Sequence, residues 1–416
     1  MRKFLFVLLI IFLMFGGYIL YDNYFSKKIP ILNTEDDVVN VDELYIYGNH
    51  LNINGKIVNA ENLDLVLYNG DFISYKINIK DNNFNMSDYV NDGIKLEDIP
   101  KGIYYAFIRS TTKDDDDKES YKYYVLNNNT KYEETIYYAF SNNGNKIVIN
   151  SDNDYHTLML NITENNDENI YDVIIDPGHG GMDSGAIKNG YKESELTMKI
   201  AANLKKKMEA NGIKVKLTRE EGQLNNNEKL IDYGTNGRAV ISGDVHAKYL
   251  FSIHLNSNTY SSVNGVEVYT PANINYDFAK SLATAIVNNT GCSYSTNKLN
   301  KQFDGIYTRS FTEADIKSSM EEYAERNMNA YDITTKSNYF YMIREPGAII
   351  TGAYVDDRNS KIGENKYYNS NVGTEAYLLE LAYLSNMNDL NNILNNMDKY
   401  TDAIANSFNN VFELKK

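Results

Sequence analysis

The sequence predicts an α/β domain, with a mixed sheet flanked by helices, that follows an all-β, immunoglobulin-like sandwich domain and an N-terminal transmembrane helix. Three observations support this prediction. A long apolar run opens the chain, short strand-like runs occupy about 41–165, and strand and helix patterns alternate over about 170–416. The length of 416 residues is sufficient for two or three domains.

The N-terminal segment, 1–21, has the composition of a membrane anchor. Arg2 and Lys3 precede an apolar run over 4–20, which is long enough to cross a bilayer. The positive charges favour a cytoplasmic N-terminus, so we expect the rest of the chain to lie outside the cytoplasm. A cleaved signal peptide is the alternative, but no small-x-small motif follows the run. We expect a single-pass membrane protein, or a secreted one if the segment is cleaved. The polar residues 22–40 predict a linker.

Residues 41–165 predict the β-sandwich. Short runs rich in tyrosine and isoleucine are separated by Asn-Gly pairs at 54–55, 69–70 and 143–144, which favour hairpin turns. Several short strands at this spacing are typical of a sandwich of immunoglobulin-like size. The acidic run 114–117 predicts a hairpin loop between two strands.

The segment from about 170 alternates strand and helix patterns. Leu196, Ile200, Leu204 and Met208 recur at helical spacing, and the Asn-Gly pair at 211–212 supplies a stop signal. The remaining predicted elements are strands at 173–175, 214–217, 250–253 and 377–381, and helices at 278–287 and 390–412.

Composition excludes some kinds of protein. The formal net charge of −15 argues against a nucleic-acid partner, because phosphates require a basic surface. The single cysteine, Cys292, excludes a disulfide within the chain. Stability must therefore come from packing.

Two histidines follow predicted buried strands directly. His179 lies in Asp-Pro-Gly-His-Gly-Gly at 176–181, and His254 lies in Ser-Ile-His-Leu-Asn at 252–256. Strand carboxyl ends border the crevice in which α/β folds form their sites, although each histidine alone would also suit a hydrogen-bonded core. Glu193 begins the helix after the glycine-rich loop. Two imidazoles and one carboxylate form a three-ligand zinc set that leaves one position open to water.

Glu380 is the fourth candidate residue. It lies within the apolar strand sequence Leu-Leu-Glu-Leu, where a carboxylate is unfavourable unless it is paired or used in chemistry. Beside a metal-activated water, Glu380 would accept a proton and pass it to a departing amide nitrogen.

Together these motifs resemble the type-3 family of zinc-dependent N-acetylmuramoyl-L-alanine amidases. The similarity extends over about 170–416 in the family's order. Besides the motifs already quoted, it rests on Lys192-Glu193, Leu217-Thr218-Arg219, Arg238, Gly265-Val266-Glu267-Val268-Tyr269 and Leu384-Ser385-Asn386.

The resemblance implies that His179, Glu193 and His254 bind zinc and that Glu380 is the catalytic acid/base. It implies hydrolysis of the amide between N-acetylmuramic acid and L-alanine in peptidoglycan. A zinc peptidase that cuts within the stem peptide, or a catalytically idle wall-binding scaffold, are the alternatives. We expect membrane contact through the N-terminal helix, and a protein regulator or wall polymer as the partner of the β-domain.

Two departures from the family pattern stand out. Ala382-Tyr383 replaces the usual Gly-Phe, and the connection 305–374 is longer than usual. This insertion contains a helical pattern near 314–327. It would either line the substrate groove or cover the zinc as an autoinhibitory element, and the sequence leaves both open. Surface salt bridges are the expected role of its Arg309 and Arg344.

Overall fold

The structure, a computed structural model, describes most of the chain beyond the N-terminal segment. The described residues are 39–57, 62–126, 135–141, 144–152, 157–221, 236–325, 333–353 and 365–412. The predicted anchor and residues 22–38 of the predicted linker lie outside these ranges. Among the described residues, no helix is both long enough and apolar enough to cross a membrane.

The first part of the described chain consists of strands. In chain order they are β1 (Val39–Tyr47), β2 (His50–Ile57), β3 (Leu63–Tyr68), β4 (Phe72–Lys76), β5 (Asn78–Lys80), β6 (Asn83–Asn85), β7 (Ile94–Lys95), β8 (Gly102–Lys113), β9 (Glu119–Val125), β10 (Thr135–Tyr138), β11 (Asn145–Ser151) and β12 (Leu158–Glu164). One sheet has the order β1-β2-β6-β5, with β7 also paired to β2. The other has the order β10-β11-β12-β8-β3-β4, with β9 also paired to β8.

Both sheets contribute alternate side chains to one apolar core, so this part is an all-β domain. The predicted turns at 69–70 and 114–117 are confirmed, since they join β3 to β4 and β8 to β9. The turn predicted at 54–55 is wrong, because Gly55 lies inside β2. A Cβ atom there would come within 2.2 Å of a β1 carbonyl and 2.5 Å of the Phe84 ring, so close packing explains this glycine. The immunoglobulin-like connectivity stays a prediction.

The second part is the predicted mixed α/β domain. Its strands are β13 (Val173–Pro177), β14 (Ile187–Lys188), β15 (Tyr191–Lys192), β16 (Val215–Leu217), β17 (Tyr249–Asn256), β18 (Glu267–Thr270), β19 (Lys301–Phe303), β20 (Ile306–Thr308), β21 (Val372–Gly373) and β22 (Glu375–Tyr383). Its helices are α1 (Glu193–Ala210), α2 (Ile241–Asp244), α3 (Asp277–Thr290), α4 (Glu313–Glu325), α5 (Tyr341–Arg344) and α6 (Met387–Phe412). The main sheet has the order β16-β13-β17-β22-β18-β20-β19. Pairing between β18 and β22, and between β19 and β20, is antiparallel, which makes the sheet mixed.

The helices follow the predicted patterns closely. Leu196, Ile200, Leu204 and Met208 are all buried on one face of α1, and the helix ends before Gly212, which has a φ of +83°. The closing element α6 consists of two helices joined at a kink at Asn396, whose φ of −125° is not helical. These helices pack on the face of the sheet formed by alternate strand residues such as Val173, Phe251 and Leu379. The intervening strand residues point to the opposite face.

The insertion has a buried half and an exposed half. No described side chain of α4 is buried. In contrast, Met342 and Ile343 of α5 pack on the sheet face that lies opposite the large helices. The surface role expected for Arg344 is wrong, because its side chain is buried and donates to the carbonyl oxygens of Asn338 and Tyr339 at 2.7 and 3.0 Å. Arg309 stacks its guanidinium on the Tyr339 ring.

Strand β21 of the insertion extends a sheet of the β-domain. It pairs in parallel with β1 at Ile46 and Tyr47, so backbone pairing connects the two domains. We call this contact region the joint. Glu375, the first residue of β22, is buried in the joint. It accepts hydrogen bonds from Asn91 Nδ2 at 2.8 Å and from the Tyr377 hydroxyl. Burial raises the pKa of Glu375 to about 7.

The raised pKa predicts a pH-dependent stability. A carboxyl group whose pKa is higher in the folded chain contributes stability that is complete below the unfolded pKa of 4.5 and is lost as the pH rises through about 7. Glu375→Gln should therefore flatten this part of the profile, by up to about 3 kcal/mol in the free energy of unfolding. Urea unfolding at a series of pH values measures the free energy of unfolding as a function of pH. Glu321→Gln on exposed α4 should keep the wild-type slope, and a wild-type slope in Glu375→Gln would contradict the prediction.

Candidate metal centre

The loop after β13 positions His179. The backbone φ is +62° at His179, +119° at Gly180 and +58° at Gly181, so the chain reverses direction within three residues. A left-handed conformation is uncommon for a residue other than glycine. Gly180 and Asp183 exchange backbone hydrogen bonds, which closes the loop. As a result Asp183 Oδ2 lies 2.6 Å from His179 Nδ1 and fixes the orientation of the ring.

Glu193 is fixed from two sides. It is the first residue of α1 and is buried. Its Oε1 accepts from the backbone N–H of Leu255 at 3.0 Å, and its Oε2 accepts from that of Ala186 at 2.9 Å. The first contact ties the carboxylate to β17, and the second ties it to the loop before the β14–β15 hairpin.

His254 completes a cluster of three ligands. It lies near the carboxyl end of β17, and its Nδ1 is 3.1 Å from Glu193 Oε1. His179 Nε2 lies 3.1 Å from the same oxygen. One ligand atom from each of the three residues lies within 4.8 Å of the others. The structure thus brings together the three residues that the sequence singled out as zinc ligands.

The surroundings suit a bound zinc ion. Two imidazoles and one carboxylate are a donor set of catalytic zinc sites, and a carboxylate on the second nitrogen of a ligand histidine is usual there. Two glycines make room for these side chains. A Cβ atom at Gly178 would lie 2.4 Å from the His254 ring, and one at Gly185 would lie 2.7 Å from Glu193 Oε2.

The charges in the centre favour a cation. Burial lowers the pKa of His179, but the carboxylates of Glu193 and Asp183 outweigh it and raise this pKa to about 9. Burial raises the pKa of Glu193, and the two histidines reverse this effect and hold it well below its ordinary value. A metal ion requires the neutral imidazole, so metal binding at this point competes with protonation of His179.

Glu380 lies beside the cluster on the next strand. Parallel pairing of β17 and β22 aligns His254 with Glu380, and antiparallel pairing aligns Glu380 with Glu267. Its Oε2 atom is enclosed and has no hydrogen-bond partner among the described residues, although the side chain remains partly accessible. Burial, together with the charges of Glu193 and Glu267, raises the pKa of Glu380 well above its ordinary value. It is therefore a carboxyl group that retains a proton readily.

Glu267 is a buried neighbour for which the sequence suggested no role. It accepts hydrogen bonds from Ser295 at 2.6 Å, Tyr269 at 2.8 Å and the Tyr383 hydroxyl. Tyr383 stands where the family usually has phenylalanine, so this departure adds a donor to Glu267. The alternation along β18 was the available signal, because it places Glu267 on the same sheet face as His254 and Glu380.

Two arginines stabilise the loop that carries His179 through hydrogen bonds. Arg219 donates to the carbonyl oxygens of Pro177 and Gly178 at 3.0 and 3.1 Å, and also to that of Ser194 in α1. Arg238 bonds Asp176 Oδ1 at 2.8 Å. These contacts give a structural reason for both arginines of the family pattern.

Two of the other histidines lie on elements outside the cluster. His50 lies in β2 of the β-domain, and His246 follows α2. His156 lies outside the described residues. In the described part of the chain, the set His179, Glu193 and His254 is the only group with the spacing of a metal site.

An α/β domain with a metal-ligand cluster and an adjacent carboxyl group at the strand ends is the arrangement of a metal-dependent hydrolase. The family described as N-acetylmuramoyl-L-alanine amidase matches residues 173–410, more than half of the chain. The chain belongs to this type-3 amidase family.

Relatives of this chain match it over shorter segments. The N-acetylmuramoyl-L-alanine amidase LytC of Bacillus subtilis is 35% identical over 114 residues, which is 27% of this chain and 21% of LytC. AmiA of Escherichia coli is 34% identical over 102 residues, 24% of this chain and 32% of AmiA. The matched segments thus span about a fifth to a third of these relatives.

Solved structures with similarity include the catalytic domain of CwlV from Bacillus (Paenibacillus) polymyxa. It has a TM-score of 0.36 and 20% identity, and the match covers 59% of this chain and 100% of CwlV. CwlD of Clostridioides difficile, solved in complex with the GerS lipoprotein, has a TM-score of 0.36 and 16% identity over 59% of this chain and 100% of CwlD.

The cluster predicts a defined zinc content. The purified chain should bind one zinc ion, and His179→Ala or His254→Ala should reduce the zinc content to near zero, because each removes one of three ligands. Elemental analysis by mass spectrometry measures the zinc content per chain. His50→Ala and His246→Ala are matched controls that should retain zinc. Full zinc content in both ligand variants would show that the ligands are others.

Proposed function

We propose that the chain hydrolyses the amide bond between N-acetylmuramic acid and L-alanine in peptidoglycan. The observation that supports this most directly is the placement of Glu380 beside the cluster of His179, Glu193 and His254. Membership of the amidase family supports the choice of substrate. One residue of the ligand set, His254, lies on the strand next to that of Glu380 and is aligned with it.

The proposed mechanism assigns a task to each residue. Zinc held by His179, Glu193 and His254 supplies Lewis-acid chemistry for attack of water on the amide carbonyl. Glu380 accepts the proton of the attacking water and then donates it to the nitrogen of the departing L-alanine. Its raised pKa favours the protonated form between these steps. Asp183 keeps the Nδ1 of His179 engaged, so that Nε2 faces Glu193.

The buried half of the insertion supports a groove-lining role. Phe340 packs on Tyr269 with ring centroids 4.9 Å apart, and Ile343 packs with Leu378, two residues before Glu380. This segment therefore builds up the sheet face on which the centre lies. We propose that it forms one wall of the substrate groove, and that a covering role, if the chain has one, belongs to exposed α4.

We further propose that residues 1–21 anchor the chain in the cell membrane and that the catalytic domain is extracytoplasmic. The apolar run after Arg2 and Lys3 supports the anchor, and a peptidoglycan substrate supports this side of the membrane. If the segment is cleaved, the protein is secreted. The β-domain is proposed to bind a protein regulator or a wall polymer. A formal net charge of −15 disfavours nucleic acid as a partner.

The identity of the released product tests the proposed reaction. Digestion of purified sacculi should release complete stem peptides with a free L-alanine amino group, while the glycan strands keep intact muramic acid. Mass spectrometry of the soluble products identifies both. Shortened muropeptides would indicate instead a peptidase that cuts inside the stem peptide. An absence of any product from the zinc-loaded chain would indicate a wall-binding scaffold.

Glu380→Gln should separate metal binding from chemistry. Glutamine keeps the shape of the side chain but cannot accept the proton, so turnover should fall by about 100-fold or more while zinc content stays at the wild-type level. Turnover per bound zinc, measured beside a thermal unfolding curve, gives the result.

Glu195→Gln is the matched control. Glu195 lies on α1 two residues after the ligand Glu193, is exposed, and forms an ion pair with Lys192. Its replacement should leave turnover nearly unchanged. If Glu380→Gln retains normal turnover per zinc, the assignment of Glu380 as the acid/base is wrong.

A further inference from the structure

A β-bulge lies beside the metal centre, where β22 has one residue more than its partner β17. His254 pairs with Glu380. Two residues further along β17, Asn256 pairs with Tyr383, which is three residues further along β22. Both intervening residues of β22 belong to the apolar core on the helix side. The extra residue therefore turns Tyr383 to the sheet face that carries Glu380.

Asn256 contacts Glu267 on this same face. Its Nδ2 donates to Glu267 Oε2 at 3.2 Å, and its Oδ1 accepts from the backbone N–H of Ser257 at 2.8 Å. Glu267 lies opposite Glu380 in the antiparallel pair of β18 and β22, and directly opposed side chains share a face. The Asn256 side chain thus lies on the metal face, and strand geometry places its Cα about 7 Å from that of His254.

The hydrogen bonds fix which end of the Asn256 amide is the nitrogen. Each Glu267 oxygen accepts twice, Oε1 from the hydroxyls of Ser295 and Tyr383, and Oε2 from Tyr269 and Asn256. A carboxylate is able to accept all four. If the amide were flipped, its oxygen would face the carboxylate and its NH2 group would face a backbone N–H. Both contacts would be lost, so the nitrogen remains beside Glu267.

One hydrogen of this amide nitrogen remains available. An NH2 group carries two donors, and Glu267 takes only one of them. Because the two N–H bonds of a planar amide diverge, the second does not point at the buried Glu267 carboxylate. Asn256 is itself partly exposed. A donor of fixed direction beside a metal centre is suited to orient a bound substrate.

We propose that Asn256 is a substrate-binding residue whose second N–H donates to an amide carbonyl oxygen next to the scissile bond. Glu267 is the positioning residue that fixes the direction of this donor. The inference rests on the proposed function, because the muramoyl-L-alanine substrate has such a carbonyl on each side of the scissile amide. One belongs to the 2-acetamido group of the sugar, and the other is the carbonyl of L-alanine.

The test uses the full zinc-loaded chain and soluble muropeptides, the disaccharide peptides that a muramidase releases from sacculi. Asn256→Ala should raise the KM by about 3- to 10-fold, the range for one hydrogen bond between uncharged groups. The kcat should stay within about twofold of wild type, because a contact made equally in the bound substrate and the transition state affects binding alone. A fall in kcat at unchanged KM would indicate a structural role instead and would contradict the proposal.

Asn258→Ala is the matched control, and zinc content and melting temperature are measured on every variant. Asn258 lies in the same loop, is also partly exposed, and accepts the backbone N–H of Tyr260 at 2.9 Å. Among the described residues, no hydrogen bond joins it to Glu267. This variant should keep the wild-type KM and kcat. An equal rise of KM in Asn258→Ala would attribute both effects to a disturbed loop, and the proposal would be wrong.

De-N-acetylated muropeptides identify the carbonyl that accepts the hydrogen bond. If it is the acetamido oxygen, the wild-type chain should prefer acetylated muropeptides by about 3- to 10-fold in KM, and Asn256→Ala should lose this preference. A raised KM in Asn256→Ala without such a loss would assign the donor to the carbonyl of L-alanine. Both results support the donor role.

Glu267→Gln tests the positioning role. If Oε1 keeps its two hydroxyl donors, the glutamine Nε2 faces Asn256 Nδ2, and two donors cannot bond each other. The KM should therefore rise as in Asn256→Ala, and the double variant should show no further rise. Additive increases would show that Glu267 does not act through Asn256. The KM is the readout because Glu267 also lies opposite Glu380. Asn256→Ala decides the donor role even if Glu267→Gln does not fold.

Failure of the proposed function would give a different result. A wild-type chain that releases no free stem peptide from muropeptides would exclude the amidase reaction, and this inference with it. A wild-type chain that releases stem peptides, together with an unchanged KM in Asn256→Ala, would overturn the role of Asn256 alone.

Discussion

The parallel pairing of β17 with β22 is the constraint on which the metal centre depends. Hydrogen bonds between these two central strands align His254 with Glu380, and the antiparallel partner β18 aligns Glu267 with the same position. A shift of one residue in register would turn these side chains to the helix-packed face, because side chains alternate between faces. The large apolar core on that face therefore enforces the geometry of the centre, although none of its residues takes part in the chemistry.

Four carboxylates lie close together around these paired strands, although burial normally disfavours carboxylates. Each is stabilised differently. Glu193 receives two backbone N–H groups, Asp183 engages His179, and Glu267 receives three hydroxyl groups. Glu380 alone has an enclosed oxygen without a partner among the described residues. The carboxylates that have donors are suited to structure and metal binding, and the one that lacks them is suited to proton transfer.

The joint between the two domains also contains buried ionisable side chains. Glu375 and Lys248 are both buried there at the amino ends of neighbouring strands, and burial moves the pKa of each towards neutrality. Because β21 of the insertion pairs with β1, the insertion is also part of the connection between the domains. Its length thus has a structural reason that is independent of any role in covering or lining the groove.

The sequence alone determined the α/β pattern, the principal helices, and the identity of His179, Glu193, His254 and Glu380 as the residues to examine. These follow from local periodicity and from motifs that lie next to strand ends, so short stretches of chain contain the information. The turn predicted at Gly55 and the surface role predicted for Arg344 were wrong, because close packing decides both positions. Only the tertiary structure showed the three hydroxyl groups that donate to Glu267, the enclosed oxygen of Glu380 and the burial of Lys248 at the joint. Each of these depends on contacts between residues far apart in the chain, and such contacts are set by strand register and by the packing of one domain on another.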